Sequence, residues 1–182
     1  RHIFLKYIEM KGLLNFGNSC YFNAAIQCIC QIPVLSNYFI LNKYKGSCPF
    51  ILELRDIIKL MWIDKSEIII NHNKIFILFK KRYKQFDNYL QHDVQEAIIC
   101  ILDILDNDIP LIKEEMYASV DKLVVYPNGK SITTEKYLIH FIYPTDTHKT
   151  ISETVQLMQD WSSVTDYEDD TKKIWPIAAV RN

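Results

Sequence analysis

Apolar residues recur along the chain in two rhythms, and the change falls near Pro110. Before it the spacing is helical. Val94, Ala97, Ile98, Ile101, Leu102 and Leu105 step i, i+3, i+4, i+7, i+8, i+11, one side of a helix predicted over 91–106. Ile51, Leu54, Ile57, Ile58 and Met61 form a second stripe over 50–62. Ile75, Phe76, Leu78 and Phe79 predict a third helix over 73–83. A run of small and apolar residues predicts another over 21–32, ended by Pro33. After Pro110, β-branched and aromatic residues dominate 121–126 and 130–143. They flank Pro127-Asn128-Gly129, and Asn-Gly favours a two-residue type I′ turn, so the pair reads as a β-hairpin. Helical spacing returns over 150–161, with Thr150 or Ser152 as its cap. Residues 166–173, acidic and then basic, read as a solvated loop, and 174–180 as a strand. Helices followed by strands predict an α+β fold, with a helical part over 1–110 and a β part over 111–182 of one domain.

Composition narrows the function classes. The 182 residues are 49% hydrophobic and 24% charged, enough for a globular domain with a core. The net charge of -1 offers no general field to nucleic acid or an acidic membrane, so neither is an expected partner. No apolar run reaches the roughly 18 residues of a membrane span, and no secretory leader pattern opens the chain. The first residue is Arg1, and the expectation is a piece of a longer protein. The cysteines Cys20, Cys28, Cys30, Cys48 and Cys100 are odd in number and contain no Cys-x-x-Cys. Reduced thiols are therefore expected, in the cytoplasm or nucleus, with no metal and no cofactor.

The stretch "GLLNFGNSCYFNAAIQC", Gly12 to Cys28, carries the candidate chemistry. A helix starting at Cys20, capped by Asn18 or Ser19, sets the thiol over free backbone N–H groups at the positive end of the helix dipole. That placement favours the thiolate, the nucleophilic form. Asn15 lies five residues earlier across a glycine-containing turn, and its amide is a candidate donor to an oxyanion. On local physics alone the other reading stays open: a turn, a cap, and Cys20 as a small buried hydrophobe.

The same stretch closely resembles the cysteine box of the ubiquitin-specific protease family, the papain-like deubiquitinases, with Ser19 in place of the family's Thr. A second segment, "YLQHDVQEAIICILDIL", Tyr89 to Leu105, resembles the family's Gln-Gln-Asp box, with His92 where the second Gln is usual. The resemblance implies a helical thumb followed by antiparallel β fingers, with the palm incomplete. It implies Cys20 as nucleophile and Asn15 as oxyanion donor, acting on the bond after the C-terminal glycine of ubiquitin. It places Asp93, Glu96, His92 and Tyr21 among the substrate-binding residues. Asp93 and Glu96, three apart at a helix start, share a face and can accept charge-assisted bonds from the arginines of ubiquitin's tail. The bland alternative for the two acids is helix capping. The implied partners are ubiquitin and ubiquitinated proteins. The segments 116–141 and 166–182 resemble the fingers, but neither carries the cysteines of the family's zinc knuckles.

A general base is the missing part. His92 occupies a position that in the family is a Gln, and His2, His72, His140 and His148 match no histidine box. The resemblance places the catalytic histidine beyond Asn182. Without it, acyl transfer loses its proton shuttle. Two further readings therefore stand beside the enzyme: a ubiquitin-binding module without catalysis, and a helical scaffold with no ubiquitin role.

Overall fold

The computed structural model describes residues 11–64, 69–127, 129–137, 150–158, 160–169 and 171–181. The chain divides into two compact units, Arg1–Glu115 and Met116–Asn182.

The first unit is helical. Strand β1 (Gly12–Leu13) leads to α1 (Cys20–Cys30), α2 (Pro33–Ile40) and α3 (Pro49–Trp62). Strand β2 (Ile69–Ile70), α4 (Asn73–Arg82), a 3-10 turn at Lys84–Phe86, α5 (Val94–Asp108) and α6 (Pro110–Glu115) complete it. The inward stripe of α1 is Tyr21, Phe22, Ala25, Ile26 and Ile29, all buried. The stripe predicted for α3 is buried in full, from Ile51 to Met61. In α5 the buried face is Ala97, Cys100, Ile101, Leu102, Ile104 and Leu105. Phe22 and Phe79, both fully buried, pack at 4.9 Å, and Phe79 meets Phe86 at 4.8 Å. This aromatic core lies directly under the start of α1.

Of three differences from the predicted elements, the first two have local causes and the third joins distant residues. Pro33 does end α1, but it also opens α2, because a proline at the first helical position forfeits no hydrogen bond. The α1 terminus is closed by Trp62 Nε1 and Ser36 Oγ, which donate to the Cys30 carbonyl at 2.8 and 2.7 Å. Helix α5 starts at Val94 rather than Gln91, because Asp93 caps it. Strands β1 and β2 are two residues each and pair in parallel, Gly12 with Ile69 and Leu13 with Ile70.

The second unit is a four-stranded antiparallel sheet in the order β4-β3-β6-β5, with α7 (Ile151–Met158). Its strands are β3 (Ala118–Tyr126), β4 (Gly129–Tyr137), β5 (Ser162–Glu168) and β6 (Ile174–Arg181). Tyr126 pairs with Gly129, so Gly129 already belongs to β4 instead of the turn in which it was expected. Pro127, whose fixed φ suits a turn, follows β3 directly. Asn128 itself, and the predicted continuation of β4 beyond Tyr137, lie outside the described residues. Thr150 caps α7 through a reciprocal exchange: Glu153 N–H donates to Thr150 Oγ1 at 3.2 Å, and Thr150 N–H to Glu153 Oε2 at 2.9 Å. Residues 169 and 171–173 belong to no strand or helix, but strand β5 takes 166–168 from the loop expected over 166–173. Its side chains are nearly all exposed, so burial leaves no apolar pattern to read. Val124 and Val180 form the small core of this sheet, flanked by Tyr126 and Tyr167 with rings 5.7 Å apart. Among the described residues no helix is long and apolar enough to cross a membrane.

Candidate functional site

Cys20 is the first residue of α1, and its thiol is exposed. The chain reaches it through Gly17 and Asn18, both left-handed at φ 80 and 47. Glycine adopts that conformation without strain, and asparagine is among the few residues that tolerate it. The approach is moored to the helix that follows. Asn23 Nδ2 donates to the Leu14 carbonyl at 3.2 Å, and Gln27 Nε2 to that of Lys11 at 2.8 Å.

Asn15 is exposed and held by its carbonyl end. Oδ1 accepts from Gly17 N–H at 3.0 Å and from the Ser19 hydroxyl at 2.9 Å. Ser19 makes no side-chain bond to the helix it caps.

The thiol meets a residue that the sequence reading did not single out. Cys20 Sγ donates to Gln91 Oε1 at 3.1 Å. Gln91 Nε2 donates to Asn18 Oδ1 at 2.8 Å, and Asn18 Nδ2 donates to the Tyr89 carbonyl at 2.6 Å. The last carbonyl can only accept, so it fixes the facing of both amides in turn and leaves Oε1 toward the thiol. These bonds tie the loop before α1 to the loop before α5 across 71 residues of sequence. The available signal was that Gln91 opens the second box, immediately before the residues that were weighed.

Asp93 is the N-cap of α5. Its Oδ1 accepts from the N–H groups of Gln95 at 2.6 Å and Glu96 at 3.3 Å. Glu96 is exposed in the first turn. Both acids are at the helix start, as expected, and the capping alternative describes what Asp93 does in this structure.

Tyr21 requires a correction. Its ring is only 5% exposed, stacked on Phe86 at 5.6 Å and edge-on to His92 at 5.1 Å. Burial, with a smaller contribution from neighbouring Cys20, pushes its hydroxyl up to about 12. Its ring faces inward, against Phe86 and His92. His92 is half-buried, its ring 4.9 Å from that of Phe86 and its Nε2 2.7 Å from Asn88 Oδ1. It has no bond to Cys20. His72 is buried in the core, with Nε2 on Asn23 Oδ1 at 2.7 Å and its ring stacked on Phe22, and burial holds its pKa below the ordinary value. His2, His140 and His148 lie outside the described residues. Among the described residues, then, no histidine reaches the thiol, and no three His, Cys, Asp or Glu side chains converge as metal ligands.

A family profile described as "Ubiquitin carboxyl-terminal hydrolase" matches residues 11–167. Ubiquitin carboxyl-terminal hydrolase 15 of Homo sapiens is 33% identical over 117 residues, which are 58% of this chain and 12% of that protein. Ubiquitin carboxyl-terminal hydrolase 12 of Saccharomyces cerevisiae is 29% identical over 128 residues, 62% of this chain and 10% of that one. Among solved structures, the SAGA Ubp8/Sgf11/Sus1/Sgf73 DUB module bound to ubiquitin aldehyde matches with a TM-score of 0.75 at 16% identity. That match covers 93% of this chain and 43% of the other. The likeness shows the fold: α+β, part of a papain-like ubiquitin-specific protease architecture, helices followed by antiparallel strands.

Proposed function

The chain belongs to the ubiquitin carboxyl-terminal hydrolase family, and we propose that it carries the thiol half of a deubiquitinase active site. The observation that carries this reading is an exposed Cys20 at the first position of α1, preceded by a loop in which Asn15 is held by its amide oxygen alone. In the proposed reaction Cys20 Sγ attacks the carbonyl carbon of ubiquitin's terminal glycine. A C–S bond forms, and the displaced electron pair rests on the carbonyl oxygen. Asn15 Nδ2 and backbone N–H groups at the start of α1 stabilise that oxyanion. Collapse expels the amine of the (iso)peptide bond, which takes a proton from a general acid. Water then hydrolyses the thioester and regenerates the thiol. Asp93, through the oxygen not spent on the cap, and Glu96 hold the arginines of the ubiquitin tail. The proton shuttle lies outside the described residues. Five free thiols support a reducing compartment, the cytoplasm or nucleus, as the place of action.

A second reading is a ubiquitin-binding module without catalysis. It is favoured by one observation: among the described residues the only side chain bonded to the thiol is an amide, Gln91. One experiment separates the readings. The full-length protein is treated with ubiquitin carrying a C-terminal electrophile. The enzyme forms an adduct at Cys20 that Cys20→Ser abolishes. The binder associates with ubiquitin and forms none, and a scaffold does neither.

A further inference from the structure

Ser19 is fully buried, at 0% exposure, which is unusual for the hydroxyl of a helix cap. A cap serine ordinarily accepts from the second or third N–H of its helix; Ser19 makes no such bond. Its oxygen instead accepts from Phe16 N–H at 2.9 Å, and its proton goes to Asn15 Oδ1 at 2.9 Å. Gly17 N–H reaches the same Oδ1 at 3.0 Å. Gly17 N–H can only donate, so it settles the facing of the amide, and the Ser19 hydroxyl adds a second bond to the same oxygen. Nδ2 has no partner among the described residues.

We infer that Ser19 is a positioning residue for the oxyanion donor: its buried hydroxyl is the side-chain anchor that, with Gly17 N–H, holds the Asn15 amide by its oxygen and leaves Nδ2 for the reacting carbonyl. The inference rests on the role proposed for Asn15. Asn15 Oδ1 can only accept, so the single hydroxyl proton is committed to it, while the Ser19 oxygen takes Phe16 N–H. Ser19 also directly precedes the nucleophile. One side chain therefore anchors the donor while its own backbone leads into the helix that carries Cys20. A donor held this way needs no reorganisation when charge develops, which is where such groups gain their effect.

The test uses the full-length protein, ubiquitin with a fluorogenic C-terminal amide, and the inhibitor ubiquitin aldehyde, whose thiol adduct is tetrahedral. Asn15→Ala is expected to lower kcat about 100-fold, the usual effect of removing one oxyanion donor. Ser19→Ala is expected to lower kcat about tenfold with KM unchanged within about twofold, because the donor remains but is no longer held. Affinity for ubiquitin aldehyde falls with kcat, while affinity for ubiquitin itself does not. Added to Asn15→Ala, Ser19→Ala costs no more than about twofold, since two residues acting as one unit are not additive. Ser19→Thr and Ser19→Val fill the same volume and differ in the hydroxyl. The Thr variant keeps kcat and the Val variant loses it, which tests the bond even where Ala unfolds the site. Additive losses, or equal kcat in the Thr and Val variants, overturn the inference. Hydrolysis that survives Cys20→Ala overturns instead the function on which it rests.

Discussion

Asp93 has two roles assigned to it, and they can be pulled apart with two substitutions. Its Oδ1 takes both N–H groups at the start of α5. Asparagine caps helices about as well as aspartate and keeps that oxygen, so Asp93→Asn removes only the charge. The loss against the helix dipole is about 0.5 kcal/mol. Asp93→Ala removes the cap as well, at about 1–2 kcal/mol in all. Binding orders the same variants differently. A hydrogen bond to a charged partner contributes about 1.5–3 kcal/mol, and the oxygen that would make it becomes a donor in asparagine and is absent in alanine, so at this exposed site either substitution costs about 1.5 kcal/mol against a guanidinium. That is about tenfold in Kd. Because the carboxylate is exposed, most of this difference appears at low salt and shrinks as salt rises. The assay is thermal unfolding beside calorimetric titration with ubiquitin at about 20 and 200 mM salt, conditions on either side of strong screening. Asp93→Asn is expected to bind weakly while unfolding nearly at the wild-type temperature, and Asp93→Ala to bind as weakly and unfold several degrees lower. Wild-type affinity in Asp93→Asn at low salt would refute the tail-gripping role and leave Asp93 as a cap alone.

Gln91→Ala removes the acceptor that holds the Cys20 proton, and alkylation of Cys20 by iodoacetamide is expected to quicken about twofold, in keeping with a weak thiol bond of about 0.5 kcal/mol. Cys28, also exposed, is the internal reference, and an unchanged ratio of the two rates would mean that the contact does not restrain the thiol. His72 makes stability depend on pH: burial depresses its folded pKa, so on acidification the unfolded chain takes up the proton first. Its contribution is complete above about pH 6.5 and is lost as pH falls from there toward the depressed value, at up to about 1.4 kcal/mol per pH unit. His72→Phe keeps a ring beside Phe22 and should flatten the urea midpoint between about pH 7 and 5; an unchanged slope would place the titration elsewhere.

What could be seen in the sequence follows from how local each feature is. Helices α3 and α5 were legible because long stripes of Ile and Leu repeat at the helical period and every one of them is buried or nearly so. Helix α2 was not, since Pro33 was given only its role as a terminator. Strands β1 and β2 carry two residues each, and their pairing joins Gly12 to Ile69, a partner that no local pattern announces. The hold on Asn15 is local for the opposite reason, since its partners Gly17 and Ser19 lie two and four residues on. Gln91 reaches the thiol only through the fold.

The inward facing of Tyr21 could be read from the sequence. Neighbours on a helix point about 100° apart, so a residue beside an exposed nucleophile has no claim to share its face. Four and eight residues on from Tyr21 stand Ala25 and Ile29, both buried, and the stripe they define includes Tyr21. From Cys20 the same steps give Ala24 and Cys28, both exposed. The period that located α5 therefore separates the first two residues of α1 as well: the thiol outward, the phenol inward against Phe86 and His92. Resemblance supplied the residues of the site, while helical geometry decides which of them can touch a ligand, and for Tyr21 the geometry takes precedence.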